Sequence, residues 1–179
     1  RLGEVDAVAD VRCVPILFAG LLERWGQKGP AEIAPKRRFT YRYFVWEATR
    51  RGLSPKVPPA HPFNPLKLLR LAAALDARRD AVLEIFRFVW RDGMSADDPA
   101  SWKLLCERLG VPDADARIAA PEVKARLREN GEKATASNVF GVCRMRQTPA
   151  FWCDCRVMVW QAPGKVRCSP LKVRRRVWL

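Results

Sequence analysis

VRCVPIL, residues 11–17, is the stretch whose reading decides the fold. It is short, apolar and β-branched, and it is bounded by Asp10 and Gly20, which predicts a buried strand. Pro15 lacks a backbone donor and so belongs at the strand's end or on an edge. Upstream, Leu2, Val5 and Val8 recur at a spacing of three, as in the last turns of a helix, so the domain is expected to have lost its opening elements. Downstream comes a loop with Gly26, Gly29, Pro30 and Pro35. Lys36 to Arg51 then carries Phe39, Tyr43, Phe44 and Trp46 at helical spacing, with arginines assigned to the other face and Gly52 placed to end it. The aromatic stripe reads as core packing, with one of its rings available as a wall for a substrate.

Residues 54–65, SPKVPPAHPFNP, contain Pro55, Pro58, Pro59, Pro62 and Pro65, which excludes a helix and predicts an extended connection. Helical patterns then follow over Leu66 to Leu75, Asp80 to Trp90, Ala100 to Leu109 and Pro121 to Thr135. Asp98 before Pro99 is an N-cap, Gly110 a C-cap, Asp92-Gly93 a turn, and Pro121 a first helical residue. One strand makes no sheet, so further strands must lie in the tail or be missing.

The formal charge of +14 is uneven: residues 143–179 hold nine of the basic residues and one acid, Asp154. The remainder is only modestly basic, which argues against nucleic acid as the partner. Cys143, Cys153, Cys155 and Cys168 also lie in this tail, but without the paired C-x-x-C spacing of a zinc site, so no metal is expected. No apolar run approaches the roughly 20 residues needed to span a bilayer, and no secretory signal opens the chain. A cytoplasmic protein without a disulfide framework is expected.

Four stretches carry a family resemblance: PILFAGLLERWGQKGPAEIAPKRRFTYR from Pro15, PPAHPFNP from Pro58, FRFVWRDGMSADD from Phe86, and NVFGV ending at Val142. In their order and spacing they resemble the 2-hydroxychromene-2-carboxylate isomerases, relatives of the kappa-class glutathione transferases, over about residues 11–142. The resemblance implies an α/β, thioredoxin-like fold, incomplete here, with an inserted and mostly α-helical domain. The thioredoxin-like part would comprise 1–22 and 134–179, and the insertion 23–133. It also implies glutathione as cofactor, and interconversion of 2-hydroxychromene-2-carboxylate with trans-o-hydroxybenzylidenepyruvate during bacterial breakdown of naphthalene-like aromatics. The partner is then a small aromatic hydroxy or keto acid, with a homodimer as the family's common assembly. A kappa-class-like transferase and a non-catalytic remnant are the alternatives.

On matching positions, the resemblance makes Lys36 the cationic active-site residue, Asn64 a polar contact to substrate, and Gln27 an amide near glutathione. It makes the backbone at Val142 a partner for the tripeptide. Asp154 falls one position early for the acid that holds the glutathione amine. Taken by themselves, Lys36, Arg37 and Arg38 read as a solvated helix start, Asn64 as a turn residue, and His61, the single histidine, as structural. The family's strand with a Ser-Pro-aromatic turn does not occur in this sequence, and Cys143 stands where relatives have a cis-proline. Residues 143–150 also fail to alternate like a strand, as expected of a tail read out of frame or decayed.

Overall fold

The computed structural model describes residues 10–141, and the backbone of 145–146 and 174–178. The N-terminal helical spacing at Leu2, Val5 and Val8, and the tail cysteines, lie outside those residues.

The expected first strand is present as β1, Asp10–Val14, and Pro15 falls just past its end. There, a missing N–H costs no ladder bond. β1 pairs in parallel with Arg174–Trp178, and Met145–Arg146 pairs antiparallel with the same strand. Numbered in chain order, 145–146 is β2 and 174–178 is β3, and the sheet order is β1-β3-β2.

Among the described residues, seven α-helices follow β1: α1 Phe18–Arg24, α2 Ala34–Arg50, α3 Leu66–Ala74, α4 Arg79–Trp90, α5 Pro99–Leu109, α6 Ala114–Ala119 and α7 Pro121–Ala136. A 3-10 turn at Pro30–Glu32 precedes α2. The start and stop signals act as their chemistry dictates. The Asp98 carboxylate accepts from Ser101 N–H at 2.9 Å to begin α5, and Gly110 closes it at φ 66°. Two short helices, α1 and α6, escaped the sequence reading; seven and six residues give too few turns for a periodic stripe to show.

Two apolar clusters organise the chain. The larger joins α3, α4, α5 and α6 through Leu71, Phe88, Trp102, Leu105 and Ala114. The smaller joins the region of β1 to α1 and α7 through Val14, Ile16, Leu21, Ala134 and Val139. Hydrogen bonds from Asn130 Nδ2 to the Pro15 carbonyl at 3.0 Å and from Trp25 Nε1 to the Val139 carbonyl at 3.0 Å lock this second unit. Thus two of the sequence stretches quoted above, from Pro15 and ending at Val142, meet in space. Among the described residues, no helix is long and apolar enough to cross a membrane.

Candidate functional site

α2 sets one wall of an open cleft. Its residues Arg37, Tyr41 and Val45 are four apart, as are Arg38, Arg42 and Trp46, so two adjacent ridges face the same way. The proline-rich connector, with Val57, Pro58, Pro59 and His61, supplies the other wall, and the cavity has a volume of about 780 Å³.

The connector is held in place by the turn that follows α4. Lys56 N–H donates to the Trp90 carbonyl at 2.9 Å. Gly93 sits at φ 69°, and a Cβ there would lie 2.9 Å from Lys56 Cβ. Only glycine fits both the left-handed backbone and the close approach. The Asp92 carboxyl of the same turn is held well below the usual carboxylate range by hydrogen bonds from Arg91 and then Arg108.

Inside the cleft, His61 makes edge-on ring contacts with Tyr41 (centroids 5.5 Å apart), Trp90 (5.7 Å) and Phe63 (6.0 Å). Burial lowers the His61 pKa from its ordinary value, and the Arg37 charge lowers it further. Burial also raises the Tyr41 phenol, which Arg37 partly offsets. Both His61 Nδ1 and Tyr41 Oη are shielded from water and lack a hydrogen-bond partner.

The aromatic stripe of α2 departs from the expectation of core packing. Phe44 does pack, edge-on to Trp90 at 5.4 Å. Phe39 is 62% exposed and Trp46 50% exposed, and the latter lines the cleft with the Arg50 guanidinium 5.0 Å over its ring. Arginines and aromatics therefore share a face instead of opposing one another. The physical reason is that α2 packs on few neighbours and buries only Ala48.

The residues singled out by the sequence are placed as follows. Lys36 is exposed in the first turn of α2, Gln27 is exposed just after α1, and neither lines the cleft. Asn64 is exposed, and its Oδ1 accepts from Leu66 N–H at 3.0 Å, an Asx-type turn that starts α3. Val142 and Asp154 lie outside the described residues. The sequence reading does not mark Arg37, Arg38, Arg42 and Tyr41 as cleft residues, whereas Trp46 belongs to the stripe from which one ring is available as a substrate wall; the four-residue repeats of cation and ring are the signal that joins them.

A second recess, at the end of β1, contains Arg12, Arg126, Lys133 and Asn130. Two of its cations are already matched, Arg126 by Asp76 at 2.6 Å and Lys133 by Glu129 at 2.5 Å, which leaves less charge for a ligand. Of the thiols among the described residues, Cys13 and Cys106 are both buried, and burial pushes the Cys106 thiol up. Neither is suited to be an accessible thiolate. No group of three or more metal-ligating side chains converges among the described residues.

A family model described as a DSBA-like thioredoxin domain matches residues 1–163. The comparison with curated proteins returns no match.

Proposed function

This chain belongs to the DSBA-like thioredoxin domain family, and on that premise we propose that it is a cytoplasmic, bacterial, glutathione-dependent isomerase of the 2-hydroxychromene-2-carboxylate type. The family includes disulfide- and glutathione-linked oxidoreductases, transferases and isomerases, so the choice among them rests on the site. The observation that carries it is the cleft between α2 and the connector, where Arg37, Arg38 and Arg42 stand beside Tyr41, Trp46 and His61. Cations next to aromatic faces suit a planar aromatic carboxylate, which needs charge for one end and stacking surface for the other.

The two described thiols, Cys13 and Cys106, are buried and are therefore not the groups that would serve a disulfide oxidoreductase. Glutathione carries two carboxylates, and the arginines of α2 can serve an anionic tripeptide as well as an anionic substrate. When bound, it supplies a thiolate that adds reversibly to the conjugated double bond and so permits rotation. The chain's own residues then hold the acid: Arg37 and Arg38 take the carboxylate, and Trp46 with Tyr41 confines the ring. Lys36, Gln27 and Asn64 stand outside this cleft, so the resemblance's assignments for them are not part of this reading. The helices between residues 23 and 133 act as the insertion that covers the thioredoxin-like part.

The test is interconversion of the two substrate forms by the full chain, followed by absorbance with and without glutathione. Glutathione-dependent turnover that falls at least tenfold in kcat/KM in Arg37→Gln supports the reading. Conjugation of a generic electrophile without isomerisation favours a transferase, and absence of both glutathione binding and turnover in the folded chain overturns the proposal.

A further inference from the structure

We propose that the imidazole of His61 holds the phenolic oxygen of an aromatic hydroxy acid whose carboxylate lies on the arginines of α2. This deepens the reading of the cleft as a substrate site and rests on it.

The starting point is an orphan. His61 Nδ1 is shielded from water and bonds to nothing, and so does the neighbouring Tyr41 Oη. Each buried polar atom left this way forfeits its hydration without compensation, and native structures retain few of them without a reason. The rings packed on His61 are Tyr41, Phe63 and Trp90, and none of them bonds Nδ1 in this arrangement. His61 lines the cleft, from which a bound ligand can supply the partner. Rotation about the second side-chain torsion of histidine is broad and roughly two-fold, so a turn of the ring brings the Nδ1 edge to the open side without moving the backbone.

The charge state suits the task. The groups facing the imidazole are Arg37, Arg38, Arg42 and Tyr41 from α2, the uncharged Val57, Pro58 and Pro59 of the connector, and Trp90 from α4. Burial and the Arg37 charge both favour the neutral ring. A neutral imidazole keeps one N–H donor and one lone pair, so it can accept from a phenol or donate to a phenolate. Arginine alone discriminates poorly between aromatic acids; a hydroxyl reader beside it confers selectivity for the hydroxy acid.

His61 is the sole histidine in the chain, so its ring resonance in NMR is unambiguous. The full chain is titrated with trans-2-hydroxycinnamate and, separately, with trans-cinnamate. The expected result is a shifted His61 ring resonance with the hydroxy acid and about tenfold tighter binding of it, the worth of one hydrogen bond. In His61→Phe, which keeps an aromatic ring in the packing, the two acids bind equally. Equal affinities in the wild type, or a preference retained in His61→Phe, overturn the inference; the wild-type result decides alone should the variant fail to fold. A wild-type preference without isomerase turnover supports the subsite and sinks the isomerase reading, whereas turnover without preference sinks the subsite only.

Discussion

Phe86 and Phe88 stand two residues apart in FRFVWRDG, and replacing each by alanine separates packing from exposure. Phe88 is fully buried (0% exposed) in the cluster with Leu71, Trp102 and Leu105, while Phe86 is 39% exposed on the same helix. A phenylalanine buries roughly 150–200 Å². At about 25 cal/mol per Å² this is worth about 4–5 kcal/mol. Residual burial in the denatured chain trims that by about 10–40%, and the cavity left behind restores part of it, so Phe88→Ala is expected to cost about 3–5 kcal/mol. Phe86→Ala should cost about 1 kcal/mol or less. Guanidinium denaturation followed by tryptophan fluorescence gives the shift in midpoint at constant slope; the Tm of Phe88→Ala should fall by roughly 10 °C, on about 2–4 °C per kcal/mol for a domain of this size. Equal shifts for the two variants, or a larger one for Phe86→Ala, would refute the packing of α4.

Gly93→Ala should cost about 1–2 kcal/mol from the left-handed backbone alone, and the push on Lys56 should weaken binding of an aromatic acid in a fluorescence titration. Asn64→Ala should lose about 1 kcal/mol of stability on denaturation, and Asn64→Ser, which can still accept from Leu66 N–H, should recover most of it. Arg108→Ala should destabilise the chain at neutral pH, because the Arg108 guanidinium donates to Asp92 at 2.6 Å and to Glu84 on α4 at 3.3 Å; melting curves across pH would read it. Because the Asp92 carboxyl is depressed in the folded state, its pairing contributes fully above the ordinary carboxylate pKa of about 3.9 and fades as pH falls towards the folded value, so the gap between variant and wild type should narrow in acid. Arg37→Gln should raise the His61 pKa while leaving it below the ordinary 6.5, since burial remains; NMR titration of the ring would show it.

Much of the scaffold was legible because its signals are local. Asp98 and Gly110 bracket α5, Pro121 opens α7, and the prolines after Ser54 forbid a helix, each through the chemistry of one or two residues. The resemblance pointed to the right superfamily, since the DSBA-like thioredoxin match covers residues 1–163. The cleft was harder. Aromatics at helical spacing ordinarily mark a buried face, but burial is set by neighbours, and α2 has few; Trp46 and Phe39 therefore stand open beside arginines that the pattern assigned elsewhere. Asn64 illustrates the reverse case: the turn role read from its flanking prolines is visible in its bond to Leu66 N–H.

The pairing of β1 with β3 joins Asp10 to Arg174 and Val14 to Trp178. During synthesis at about 5–20 residues per second, β1 emerges well before β3 and waits through the translation of the seven described helices for this neighbour. The helices, whose contacts are nearer in sequence, can assemble in the meantime, and sheet closure becomes the late step of folding. Until then β1 presents an unsatisfied ladder edge, the kind of surface that recruits other chains. Ribosome-bound chains ending before residue 174 should accordingly depend more on chaperones than the finished protein does.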